Sequence, residues 1–173
     1  MTVTALLVLP ASGSSAAHLL PPDAVTRSLA ALGGSSIGSG VRQVTAGDEL
    51  LQALRAAPPD GVLLISPAWP VPTAEAVAAV LSALDGDPGA AVAVAVVPVT
   101  DSLKLVGPDD VLGPAADRDR FVAPAGPAAY RCALLPPELA GPAGADAVRD
   151  PGAVPATLLA LGARVLAVPV LPR

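Results

Sequence analysis

Residues 90–99, AAVAVAVVPV, constrain the fold more than any other stretch of the chain. Ala and Val with a single proline make an apolar run too short to cross a bilayer and rich in β-branched residues. Such a run reads as a strand buried on both faces, and burial on both faces demands helices on each side of its sheet. At Pro98 the run gives way to a polar tail, Thr100, Asp101, Ser102 and Lys104. Ligands of open α/β sheets sit at the carboxyl ends of strands, so chemistry is expected where this tail begins. Lys104 is also the only lysine in the protein.

The rest of the composition narrows the function classes. The 173 residues fit a single domain, 1–173. Mean hydropathy is high at +0.62 and only 14% of residues are charged, yet Pro67, Pro70, Pro72 and Pro98 cut every long apolar run. No segment reaches membrane-spanning length. With one Phe, one Trp and one Tyr, the core must be small aliphatic side chains between closely spaced layers. A net charge of −5, thinly spread arginines and almost no stacking aromatics argue against nucleic acid as a partner. The lone Cys132 excludes an internal disulfide, suits a reducing cytoplasm and reads as an inert thiol, because His18 is the only histidine. The apolar residues 6–9 have no basic residue before them and stop at Pro10, which does not fit a secretory signal. A cytoplasmic location is expected.

Taken in order, residues 2–9 read as a first strand, opening into the small-residue loop 11–15. Residues 23–32 form a modest helix with Asp23 as a candidate cap. Residues 33–40, GGSSIGSG, have the composition of a flexible loop. A short edge strand at 41–45 and a helix at 47–57 with Leu50, Leu51 and Leu54 on one face come next. A strand at 61–65 ends at Ser66 and Pro67. Residues 73–84 carry the clearest helical pattern, Val77, Val80, Leu81 and Leu84 at i, i+3, i+4 and i+7 behind a Thr73 cap. The alternation of strand and helix implies parallel strands in a Rossmann-like three-layer α/β/α sandwich. Residues 101–120 break the pattern: eight of the chain's 25 charged residues fall there, between short apolar pieces, as in a projecting hairpin. Residues 127–135 read as helix, 136–150 as loop, 154–161 as helix and 164–170 as a last strand.

Several motifs in this order are shared with a known family. PVTDSLK (98–104) resembles the PV-x-D-T-[IM]-K segment of the 2-C-methyl-D-erythritol 4-phosphate cytidylyltransferases, the IspD family. LPASGSS (9–15) is similar to that family's PAAGxGxR loop, VLLISPAWPV (62–71) to VLVHDAARP, AADR (115–118) to T-x-D-R, and GPAAY (126–130) to T-P-Q-x-F. The resemblance implies a nucleotide-diphospho-sugar transferase-like fold with a mostly parallel sheet and a β-arm at about 100–124. It implies joining of CTP to methylerythritol phosphate, with magnesium, in isoprenoid biosynthesis. It also implies a homodimer in which each arm reaches the partner's pocket.

On this resemblance the nucleotide loop is Ala11, Ser12, Gly13 and Ser14, a vestigial one. The family's second glycine falls at Ser15, its arginine at Ala17 and its lysine near Asp23 or Ala24. Phosphate contacts need those cations. The metal-binding aspartate falls at Ser66 and the arginine of the same motif at Trp69, while the Thr and Gln of T-P-Q become Gly126 and Ala128. A hydroxyl is a poor magnesium ligand beside a carboxylate. The family's lysine-bearing closing segment would lie beyond Arg173, and a strand and helix of the family are missing before Val41. The arm is the part that survives: Asp101, Ser102, Lys104 and Arg118 are the expected substrate-binding residues, and Arg118 keeps a guanidinium suited to phosphate. No catalytic residue, metal ligand or cofactor is expected.

Each position also has a plainer reading. Residues 11–15 make an ordinary polar turn, Asp101 and Ser102 cap a turn, and Arg118 and Arg120 alternate with Asp117 and Asp119 on a solvated face. Trp69 fills space and His18 lies exposed in a loop. Three functions therefore compete: a degenerate cytidylyltransferase homologue that binds a protein, polyol or phosphorylated ligand; an active CTP-dependent enzyme whose triphosphate site moved to Arg27 or Arg42, with magnesium; and an assembly module that uses its apolar surface.

Overall fold

The computed structural model describes residues 2–11, 20–33, 41–68 and 70–170. Six strands form one mixed sheet: β1 (Val3–Leu9), β2 (Val41–Thr45), β3 (Val62–Pro67), β4 (Val92–Pro98), β7 (Val122–Arg131) and β8 (Val165–Pro169). Their order across the sheet is β2-β1-β3-β7-β4-β8. β1 pairs in parallel with β2 and β3, and β4 with β8; β7 runs antiparallel between β3 and β4. Two further strands, β5 (Lys104–Val106) and β6 (Leu112–Ala115), form a separate antiparallel hairpin.

Helices cover both faces. α1 (Ala24–Gly33) and α3 (Ala74–Gly86) bury Leu32, Val77, Val80 and Leu84 against Ala5, Leu7, Leu64, Ala93 and Ala129. α2 (Asp48–Arg55), α4 (Pro142–Ala147) and α5 (Val154–Ala160) cover the other face, with Leu50, Leu54, Val154 and Leu158 over Leu6, Leu63, Val92 and Tyr130. The two side-chain sets alternate along each strand, the period-2 pattern of a sheet buried on both sides. This is the expected three-layer sandwich with its projecting hairpin. Thr73 caps α3 as the sequence indicates, its hydroxyl accepting the Ala76 N–H at 3.1 Å. Ser28, fully buried, donates to the Ala68 carbonyl at 3.1 Å and ties α1 to the end of β3.

The structure corrects the sequence reading at three places. Residues 127–131, read as helix, are the buried end of β7, and only Cys132–Leu134 turn, as a single 3-10 turn. Ala favours helix, but intrinsic propensity is a weak determinant, and pairing on both sides with β3 and β4 overrides it. Residues 136–150, read as loop, contain a 3-10 turn at Pro137–Ala140 and α4. β3 does not stop at Ile65; Ser66 and Pro67 belong to it and pair with Leu7 and Val8 of β1. The Val-rich strand β4 is buried on both faces as expected, and it reaches that burial one place in from the sheet edge, where a centrally placed strand is the simpler expectation. The expected 33–40 loop lies outside the described residues apart from Gly33, the last residue of α1.

Candidate functional site

A cleft of about 190 Å³ opens beside the carboxyl end of β3. Its floor is the sheet face carrying Ile65, Val94, Ala128 and Tyr130, and the 150–155 turn forms its rim. The local cause is an irregularity in β7. Ala128 pairs with Val94 but Pro124 pairs with Val96, so residues 125–127 bulge opposite Ala95. Bulges of this kind re-aim a strand and are frequent beside binding sites. They also admit proline inside a paired strand, which accounts for Pro127 and Pro124 in β7.

The chemistry of the cleft is almost neutral. Pro67, Pro70, Pro124, Pro151 and Pro155 line it, and Asp150 is the one charged residue among its described lining. Asp150 Oδ1 accepts the Gly152 N–H at 2.9 Å, which shapes the rim turn. Tyr130 is fully buried and its phenol oxygen has no hydrogen-bond partner. Burial pushes the phenol pKa well above its ordinary value, so the hydroxyl remains a donor throughout the physiological range. Arg131, its neighbour, serves the scaffold at the far end of β7: its Nε–H donates to the Ala90 carbonyl at 3.3 Å and a terminal N–H to the Leu84 carbonyl near the end of α3.

Among the residues expected to bind substrate, Arg118 reaches the root of the hairpin beside Asp101. The Arg118 guanidinium donates to the Thr100 carbonyl at 2.8 Å, immediately before Asp101. Ser102 is exposed next to it, and Lys104 is exposed where β5 pairs with Ala115 of β6. Leu105, Val106, Val111 and Leu112 lie bare on the same hairpin, Leu112 at 71% exposure. Of the loop residues, Ala11 is half-buried two positions after β1; Ser12, Gly13 and Ser14 lie outside the described residues, as do Ser15, Ala17, His18 and Trp69.

Known structures share this arrangement along essentially the whole chain. A 2-C-methyl-D-erythritol 4-phosphate cytidylyltransferase from Thermus thermophilus matches 99% of this chain and 90% of its own, with 24% identity and a TM-score of 0.64. The 4-diphosphocytidyl-2C-methyl-D-erythritol synthase from Anaerococcus prevotii matches 98% of this chain and 89% of its own, at 12% identity and a TM-score of 0.66. The fold is that of the cytidylyltransferases. A CMP:2-keto-3-deoxy-manno-octonic acid synthetase solved with CTP also matches 98% of this chain and 90% of its own, with 11% identity and a TM-score of 0.61. No protein-family model and no curated protein sequence matches the chain.

Within this cytidylyltransferase fold, the position where the resemblance places the metal-binding aspartate carries a hydroxyl and no carboxylate. Ser66, at the position of the metal-binding aspartate, is fully buried and donates to the Pro67 carbonyl at 3.2 Å. Among the described residues no group of three or more His, Cys, Asp or Glu is placed to hold a metal. Two arginines remained as alternatives for the triphosphate. Arg27 lines a groove of about 550 Å³ beside the first turn of α3, at 3.5 Å from Asp23. Arg42 sits on the edge strand β2, with the Glu49 carboxylate near it. Cys132 is half-buried and burial raises its thiol pKa, which disfavours the nucleophilic thiolate. No helix is long and apolar enough to cross a membrane among the described residues.

Proposed function

We propose that this chain is a catalytically depleted relative of the methylerythritol phosphate cytidylyltransferases that acts by binding, with little or no transferase activity. The observation that carries this reading is the cleft beside β3, lined by five prolines and one carboxylate with no cation among its described lining residues. A transferring phosphoryl group is stabilised by positioned cations and donors, and their loss removes most of the rate. Neutral Ser66 at the metal position and Gly126 and Ala128 in the T-P-Q segment support the same conclusion. No resident cofactor is required for such a role, and a cytoplasmic setting suits it.

The hairpin supplies the partner. Leu105, Val106, Val111, Leu112 and the adjoining Phe121 and Val122 expose apolar surface on an arm with no core of its own. A two-stranded hairpin is marginal alone in water, so the arm is stabilised against a second copy of this chain, with Asp101, Ser102, Lys104 and Arg118 at the junction. A second reading, an active CTP-dependent enzyme, is favoured only by the position of Arg27 on the groove beside α3.

One assay decides between them. Pyrophosphate release from CTP and methylerythritol phosphate with magnesium should stay at background. Turnover at the rate of ordinary cytidylyltransferases, abolished by Arg27→Ala, would establish the second reading. Calorimetric titration with CTP and magnesium should likewise show no saturable heat.

A further inference from the structure

We propose that the free edge of β8 pairs antiparallel with the same edge of a second copy of this chain, joining two sheets into one. The backbone carries the argument. β8 is the last strand of its sheet. The Arg164 carbonyl accepts the Ala91 N–H, and the Val170 N–H donates to the Val96 carbonyl, each at 2.9 Å. Backbone groups alternate in direction along a paired strand. Residues 164, 166, 168 and 170 therefore bond toward β4, and Val165, Ala167 and Pro169 turn theirs outward. Among the described residues no strand meets those outward groups. Such a row is a template for another strand unless the sequence blocks it.

The two edges of the sheet differ in that respect. β2, at the opposite edge, exposes Arg42 and Gln43. β8 has no charge and no bulge: its register with β4 runs unbroken from Val165 to Pro169. Residues 151–170 hold a single charged residue, Arg164, which is tied to Asp87 at 2.8 Å. Leu159, on α5, and Leu161, just after it, are 62% and 36% exposed. They flank the apolar edge on the sheet face where α5 and Val165 pack.

Pro169 selects the register. Proline has no N–H to give, so a full exchange of hydrogen bonds needs Val165 of each copy opposite Ala167 of the other. That two-fold arrangement meets both outward N–H groups of each copy and sets Leu166 against its own counterpart on the axis. Arg164 then falls opposite Val168, so no like charges meet across the ladder. An uncharged edge of this pattern is self-complementary, as an isologous interface requires. A foreign extended peptide would need side-chain pockets beside the strand for its specificity. Neither the cleft nor the groove described above includes a β8 residue.

This edge is separate from the arm, so each contact can be removed alone. The test therefore uses Leu112→Asp protein, in which the arm contact is disrupted. At high micromolar concentration that variant should still sediment as a dimer. Adding Ala167→Pro, which deletes an N–H that the sheet itself does not use, should give a folded monomer. Adding Leu159→Glu instead, which charges the apolar flank of both copies, should weaken the dimer about tenfold. Amide exchange reads the same pairing at single residues. Val165 and Ala167 should exchange about tenfold more slowly in concentrated than in dilute protein, while β2 amides ignore concentration. A monomeric Leu112→Asp, a dimer that survives Ala167→Pro, or exchange at Val165 and Ala167 that ignores concentration would each overturn the pairing. If Ala167→Pro does not fold, the exchange and Leu159→Glu decide. Protection that appears only when cell extract is added to monomeric protein would assign the edge to another protein and equally overturn it. Failure of the arm contact shows separately, as a wild-type mass that Leu112→Asp does not change.

Discussion

The six-stranded sheet and the hairpin arm use similar residues to opposite ends. Val92 to Val96 of β4 are almost fully buried between two helical layers, whereas Val106 and Leu112 on the arm are 64% and 71% exposed. The sheet satisfies its own strands by pairing them on both sides, except at β2 and β8; the arm has one pairing and no layer over it. Apolar side chains in the sheet therefore set the stability of the monomer, and those on the arm are available to something else. The sharpest way to break this contrast is Leu64→Ala, a fully buried residue of β3. It should cost about 2–5 kcal/mol, read from urea denaturation. On the arm, Leu112→Asp should keep a single cooperative transition and lower its midpoint only by the share that dimer association contributes at that protein concentration. The same substitution should halve the mass seen by light scattering at micromolar concentration. A monomeric wild type, or an unfolded Leu112→Asp, would erase the distinction.

The same contrast explains what the sequence disclosed. β1, β4, α3 and the arm were legible because each carries its signal locally: an unbroken Val-rich run, an i, i+3, i+4 stripe behind Thr73, or charges interleaved with short apolar pieces. β7 was not. Pro124, Gly126 and Pro127 speak against a central strand, and they are tolerated because a bulge opposite Ala95 takes Gly126 and Pro127 out of the ladder and leaves Pro124 at its edge, opposite Val96. That compensation belongs to the partner strand and is invisible in one dimension. The cleft followed β7 into obscurity, since its floor comes from β3, β4 and β7 together. Tyr130 had a faint signal, a tyrosine where the T-P-Q-x-F pattern has phenylalanine, but its lone hydroxyl gains meaning only once the surrounding burial is known. The expected substrate residues Asp101 and Arg118 share the arm root, a proximity that the hairpin pattern contained.

Smaller perturbations sharpen the comparison. Thr73→Ala removes the α3 cap and should cost about 1 kcal/mol, a loss confined to the sheet's helical layer. Tyr130→Phe removes a buried, unpartnered hydroxyl and should leave the protein as stable as wild type or more so, by up to roughly 1 kcal/mol. A marked loss of stability would mean the hydroxyl is satisfied within the fold. At the arm root, Arg118→Ala should speed amide exchange across residues 100–120 while the sheet amides keep their protection. Uniform loss of protection would show that the arm and the sheet open as one unit.

The smallest effect is electrostatic and lies at the sheet edge. Arg164, just before β8, donates to Asp87, which caps the end of α3, at 2.8 Å. That hydrogen bond holds the Asp87 carboxyl below the usual aspartate value, and the Thr45 N–H at 2.7 Å does the same for Glu49. For a carboxyl whose pKa is lower folded than unfolded, the unfolded chain binds the proton more readily. The stabilisation is complete above the unfolded value and is lost as pH falls through the folded one. Glu49 is exposed and Asp87, partly buried, pairs with an exposed Arg164, so screening keeps the contribution small. Asp87→Asn should lower the urea midpoint slightly at pH 7, and the mutant and wild-type curves should converge as pH falls below the usual aspartate value of 3.8. Curves that stay parallel from pH 7 to acid would show that the pair at this edge carries no net stability, leaving β8 held to β4 by its backbone ladder and apolar contacts.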